Sequence, residues 1–158
     1  MTLRLEPVTL ANREFLDEVD PGAHALSWVH SSWYWHQVSL DRPRVQFRLV
    51  HEGEAVVGMV AWGPAYADEE LTELVPGRYE LTHLVVDHRH QRRGVGAAVS
   101  RAVLRMLAAE PDCREVVVAH HPDNAASRSM FTALGLRPAE ERNYDGDPLL
   151  VAAPADLA

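Results

Sequence analysis

The 158-residue sequence predicts an α/β domain built around a mixed sheet. Three observations carry that prediction. Stretches of alternating or continuous apolar residues interleave with stretches of helical period. Two of the strand-like stretches, 79–87 and 115–120, are joined by one helical stretch and a short return, which implies a parallel pair. Tight turns at Gly53 and at Asp145 and Gly146 close hairpins, which supply the antiparallel neighbours.

Taken in order, LRLEPV (3–8) alternates and reads as a first strand ended by Pro7. Thr9 is placed to cap a short helix running to about Val19. Pro21 and Gly22 interrupt, and a second helix is predicted from about Ala23 to Val38, carrying Trp28, Trp33 and Trp35. RVQFRLVHEGEAVVGMVAW (44–62) reads as a hairpin turned at Glu52, Gly53 and Glu54. GPAYADEELTELVPGR is expected to be a long acidic loop of the kind that carries function or disorder.

The strand YELTHLVVD (79–87) comes next. From Gly94 to Ala109 the residues Val95, Val99, Ala102, Val103 and Met106 recur at helical spacing, and Pro111 and Asp112 stop that helix. EVVVAH (115–120) is a buried-strand run. Asp123 or Asn124 caps a further helix, NAASRSMFTALG, which Gly135 ends in the left-handed conformation. The remainder forms a last hairpin. Neither a repeat nor a linker divides the chain, so a single domain over 1–158 is expected.

Composition excludes several functions. The longest apolar runs fall well short of the roughly 18 residues of a membrane span. The first residues, MTLRLEPVTL, do not have the pattern of a signal peptide, so a cytoplasmic protein is expected. A net charge of −8 disfavours nucleic acid and anionic membranes as partners and suits basic or amine-bearing ones. The one cysteine, Cys113, has no partner for an internal disulfide. His88 with His90 and His120 with His121 lack a carboxylate or cysteine at ligand spacing, so no metal is expected.

Against that acidic background, HRHQRR (88–93) packs three arginines and two histidines just before Gly94 and Gly96. A strand running into a glycine loop that opens a helix makes an anion site. Its backbone N–H groups point outward, and the helix N-terminus adds partial positive charge. Arg92 and Arg93 would add charged contacts to phosphate oxygens. A Walker loop is absent, and a dinucleotide fingerprint fails at Val99.

QRRGVG, placed after ELTHLVV and before an apolar helix, resembles the acetyl-CoA loop of the GNAT family of N-acetyltransferases. EVVVAHHPDNAASRSMFTALGLRP is similar to that family's later strand, helix and closing turn. The resemblance implies a GNAT acyl-CoA N-acyltransferase fold, with a splayed parallel strand pair and helices on both faces of the sheet. It implies acetyl-CoA as cofactor, with backbone amides of Gln91, Arg92, Arg93, Gly94, Val95, Gly96 and Ala97 on its pyrophosphate. Main-chain groups of Leu84, Val85 and Val86 would pair with the pantetheine arm, and Asn124, Arg128 and Phe131 would flank the cofactor from the later helix. Shorter similarities, in RLEPVTLANREF and NYDGDPLL, look like spermine and spermidine acetyltransferase-like members.

For the chemistry, Glu80 stands where several members of the family carry a general-base glutamate, and the N–H near Val85 is the implied oxyanion donor. Many members place a tyrosine seven residues after the helix-capping asparagine to protonate the departing thiolate; here that position is Phe131. Either Ser129, Tyr144 or an ordered water is the substitute, or the coenzyme A thiol leaves without a dedicated acid. His83 is a second proton-relay candidate, on the opposite strand face from Glu80. Trp28 and Trp33 are candidates for an aromatic wall against a cationic amine, with core packing as the alternative. The expected acceptor is a small-molecule primary amine, a polyamine or diamine first, with an aminoglycoside, an amino acid or a protein N-terminus as alternatives. A homodimer fits the family. An acetyl-CoA-binding regulatory domain with little or no catalysis remains the contrasting reading, motivated by Phe131.

Overall fold

The structure, a computed structural model, describes residues 1–25 and 31–158. Its strands are β1 (Leu3–Pro7), β2 (Gln46–Glu52), β3 (Ala55–Tyr66), β4 (Leu74–Val86), β5 (Glu115–Ala119), β6 (Arg137–Arg142) and β7 (Pro148–Ala152). Its α-helices are α1 (Phe15–Glu18), α2 (Ser32–Asp41), α3 (Val95–Ala108) and α4 (Ala125–Ala133). The strands form one mixed sheet in the order β1-β2-β3-β4-β5-β7-β6, and the expected α/β architecture with a parallel β4–β5 pair is what the chain adopts.

Two compact units can be distinguished, one comprising Met1–Trp62 with His83–Val99 and the other Gly63–Thr82 with Ser100–Ala158. In the first, β1 and β3 flank β2 antiparallel, and the buried side chains include Phe47, Leu49, Met59, Val60 and Val85. The β2–β3 register slips between Val50 and His51, which leaves Val57 without an opposite residue; its carbonyl accepts the Asp87 N–H at 2.8 Å. At Gly58 an added Cβ would lie 2.5 Å from the Val85 carbonyl oxygen, so only glycine lets these backbones approach.

In the second unit, Arg78, Tyr79 and Glu80 pair with Glu115, Val116 and Val117 in the parallel ladder, and Val118 and Ala119 continue antiparallel to Leu150 and Leu149 of β7. A small core of Ala65, Val117 and Val151 packs with Ala139. Val116, Val117 and Val118 are all buried, as their continuous apolar run predicts.

Three boundaries and one helix face differ from the sequence reading. Residues 10–14 wind as turns and only Phe15–Glu18 are helical, because the Asn12 side chain accepts from Thr9 N at 2.7 Å and donates to Pro7 O at 3.1 Å, tying the segment back. The second helix starts at Ser32, not Ala23: Ser31 caps it by accepting from Tyr34 N, while 23–25 form a separate 3-10 turn. The predicted acidic loop is mostly strand, since β3 runs through Pro64 to Tyr66 and β4 begins at Leu74, leaving only 67–73 between them. In α3 the buried positions are Val95, Val99, Ser100, Val103, Leu104 and Leu107, whereas Ala102 and Met106 face outward.

Candidate active site

The glycine loop belongs to the first unit. β4 ends at Val86 and the chain passes through Asp87, a 3-10 turn at His88–His90, and then Gln91 to Gly94 before α3 begins. The backbone is left-handed at Arg92 (φ 62°) and at Gly94 (φ 83°). At Gly94 that conformation is the reason for glycine; at Arg92 it is one that residues with a Cβ seldom adopt. The first α3 hydrogen bond runs from Ala98 N to Gly94 O at 3.0 Å, so the N–H groups of Val95, Gly96 and Ala97 lack intrahelical acceptors by construction. Left-handed residues followed by open helical amides form a cradle for an oxyanion, and these residues fit the diphosphate of coenzyme A.

Asp87 is what shapes this loop. It is fully buried and accepts from Arg89 N (3.0 Å), Arg89 Nε (2.8 Å), Arg89 Nη2 (3.1 Å) and Asp20 N (3.1 Å). Burial opposes its ionisation, but these hydrogen bonds and the Arg89 charge outweigh burial and hold the carboxyl down at about 2. Sequence reading passed over Asp87, although its position directly after the apolar strand was the available signal. Of the loop arginines, Arg93 pairs with Glu52 at 2.6 Å and contacts His90 Nδ1 at 3.0 Å, while Arg92 is exposed.

His83 is buried. Its Nε2 lies 3.2 Å from Ser32 Oγ, and its ring stacks on Phe47 (6.3 Å, 21°) and tilts against Trp35 (6.4 Å, 30°). Trp35 is therefore a core residue. Trp33 is partly exposed, and its indole donates to Asp17 Oδ1 at 2.6 Å, fixing it between α2 and α1. Trp28 lies outside the described residues.

In the second unit, Tyr79 and Leu81 are buried on one face of β4, and Glu80 and Thr82 are half-buried on the other, as period-2 alternation requires. Burial pushes the Glu80 carboxyl up to about 7; Arg78 pulls against this and the charge of Asp145 adds to it. The β6–β7 turn that bears Asp145 and Tyr144 thus acts electrostatically on Glu80, an association that sequence order does not reveal. Arg78 itself is clamped by Glu141 (2.6 Å) and Glu115 (2.7 Å), which pins the start of the parallel pair. The Thr82 hydroxyl is buried and has no hydrogen-bond partner among the described residues.

Asn124 caps α4, its Oδ1 accepting from Ser127 N at 3.1 Å. Phe131 is 2% exposed and sits in the core, while Arg128 and Ser129 are exposed on the same helix. Tyr144 is half-buried in the β6–β7 turn.

A family model described as the acetyltransferase (GNAT) family matches residues 9–136. The chain belongs to the GNAT family. Its cofactor is accordingly acetyl-CoA, and its class is the acetyl-CoA-dependent N-acetyltransferases. Among curated relatives of this GNAT chain is the spermine/spermidine N(1)-acetyltransferase of Bacillus subtilis (strain 168), 22% identical, covering 96% of this chain and 98% of that protein. Similar solved folds include the PaiA N-acetyltransferase of Thermoplasma acidophilum in complex with coenzyme A, with a TM-score of 0.68 at 12% identity and 97% and 99% of the two chains covered. Another is the aminoglycoside acetyltransferase AAC(6')-Ib in complex with coenzyme A, with a TM-score of 0.76 at 16% identity and 96% and 95% covered. Among the described residues of this GNAT chain, no helix is long and apolar enough to cross a membrane.

Proposed function

We propose that this GNAT enzyme acetylates a primary amine of a small polycation, a polyamine or diamine, by direct attack of the amine on the thioester of acetyl-CoA. The observation that carries this reading is Glu80, a carboxyl brought to about 7 on the half-buried face of the central strand. A base must accept a proton from an ammonium and still be ionised at working pH, and a value near neutrality meets both demands. Glu80 takes the proton directly or through one water. A main-chain N–H near Val85 stabilises the oxyanion, and the C–S bond then breaks. With Phe131 unable to donate, Tyr144 returns a proton to the thiolate; Ser129 and an ordered water are the other candidates, and His83 is a separate proton-relay candidate. Leu84 to Val86 hold the pantetheine arm, and Gln91 to Ala97 hold the diphosphate. Asn124 and Arg128 flank the cofactor.

A polycationic acceptor is supported by charge. The net charge is −8, Glu69, Glu70 and Glu73 are exposed on the 67–73 loop, and Asp145 adds its charge near Glu80. Asp68 differs from these neighbours: hydrogen bonds from Thr72 and from the Glu73 N–H lower its carboxyl and close the loop. Trp33 presents a partly exposed ring for a cation. The Bacillus relative, which by name acetylates spermine and spermidine, adds to this reading.

Thiol release from acetyl-CoA, followed across spermidine, diamines, aminoglycosides, amino acids and peptides with a no-amine control, tests the proposal. Release driven by spermidine or a diamine at the highest kcat/KM is expected. Preference for an aminoglycoside or peptide would refute the acceptor class while keeping the reaction. Coenzyme A binding without amine-dependent release would favour the regulatory-domain reading. The homodimer is a separate proposal, tested by sedimentation.

A further inference from the structure

The side chain of Gln91 is committed within the protein. Its Nε2 donates to Pro21 O at 2.9 Å and to Val86 O at 2.9 Å, so both amide hydrogens are used, one toward a segment 70 residues away and one toward the end of β4. Three more contacts line the same seam. Asp20 N donates to Asp87 Oδ2 at 3.1 Å, His88 N donates to Asp20 O at 2.7 Å, and His88 Nδ1 lies 3.2 Å from Asp20 O. On the far side, Gly22 (φ 97°) closes its own turn by donating to Asp20 Oδ1 at 2.8 Å. Gly22 O in turn accepts from Ala25 N at 3.0 Å, and the loop enters its left-handed residue Arg92 directly from Gln91.

We propose that Gln91 is a positioning residue that joins the coenzyme A loop to segment 20–22, so that filling the loop and ordering that segment are one event. The inference rests on the loop being the cofactor cradle. A diphosphate on the amides of 92–97 removes the freedom of those residues, and the restraint passes through two hydrogen bonds that demand a donor at position 91. Glutamate at this position would set an acceptor against two carbonyls. Arginine, whose guanidinium carries several N–H groups, can serve both.

The test combines calorimetric affinity for coenzyme A with residue-level hydrogen exchange in the wild type and in Gln91→Glu, Gln91→Leu and Gln91→Arg. In the wild type, saturating coenzyme A is expected to slow exchange at Asp20 and Gly22 at least about tenfold. In Gln91→Glu and Gln91→Leu, Kd for coenzyme A rises about tenfold and protection at Asp20 and Gly22 disappears even at saturation. Gln91→Arg restores both to within about threefold. If Gln91→Glu fails to fold, Gln91→Leu carries the comparison. Exchange at Asp20 and Gly22 that ignores coenzyme A in the wild type, or that stays coupled in Gln91→Leu, overturns the proposal while leaving the cofactor cradle intact. Failure of the wild type to bind coenzyme A at all would overturn the cradle and this inference together.

Discussion

Replacing Glu80 with glutamine should make the protein more stable at alkaline pH and nearly inactive. In the folded chain burial raises this carboxyl from its ordinary value of 4.5 to about 7. At about 1.36 kcal/mol per pH unit, that rise corresponds to about 3 kcal/mol. Between those two values the folded state holds a proton that the unfolded state has released, so wild-type stability falls as pH climbs from 4.5 through 7 and then levels off. Glutamine is a neutral mimic of the protonated form. At pH 4 the two proteins should unfold at similar denaturant concentrations, and by pH 8.5 Glu80→Gln should lead by about 3 kcal/mol. Denaturant titrations at half-unit pH intervals, paired with kcat/KM for the best amine, provide the assay. Wild-type activity should rise with an inflection near 7. The variant should lose that limb together with about 10²–10⁴-fold of rate. A stability difference that stays flat across pH would show that Glu80 is not desolvated, and an unchanged pH-rate profile would remove it as the base.

Other substitutions probe the scaffold around it. Gly58→Ala drives a methyl to within 2.5 Å of the Val85 carbonyl oxygen; a loss of about 1–3 kcal/mol in unfolding free energy is expected, with weaker coenzyme A binding. Asp87→Ala strips the acceptor from the Arg89 guanidinium and from two backbone N–H groups, and should cost about 2 kcal/mol by denaturant titration. Because the Asp87 carboxyl is held at about 2, its contribution is complete above its ordinary value of 3.8 and fades as pH falls toward 2, so Asp87→Asn should flatten acid unfolding in that window. Tyr144→Phe should lower kcat at least about tenfold if Tyr144 supplies the thiolate proton. Phe131→Tyr, which adds a hydroxyl at a position only 2% exposed, should lower stability by about 1–3 kcal/mol without raising kcat; a gain in kcat there would restore Phe131 as the impaired acid position.

Local chemistry by itself determined much of this molecule. The period-2 pattern of β4, the apolar run of β5, the glycine loop between strand and helix, the Asn124 cap and the left-handed Gly135 (φ 106°) all depend on residues close in sequence, and all appear where their residue types place them. Where local signals misled, tertiary pairing had overruled them. Pro64 and Pro76 belong to the segment expected to be a long acidic loop, yet both lie within strands, and the loop shrank to 67–73. The capping signal at Thr9 led to a helix only from Phe15 to Glu18, because Asn12 holds the start of that segment back on Pro7. The electrostatics were least accessible of all. Nothing in the sequence puts Asp145 within influence of Glu80, Arg78 between Glu115 and Glu141, or Asp20 and Pro21 on Asp87 and Gln91. Sequence fixes which residues can ionise or donate; the approach of segments tens of residues apart decides how strongly each is desolvated and which partner it meets, and so only the tertiary structure could give Glu80 a pKa near neutrality and Gln91 two carbonyls to hold.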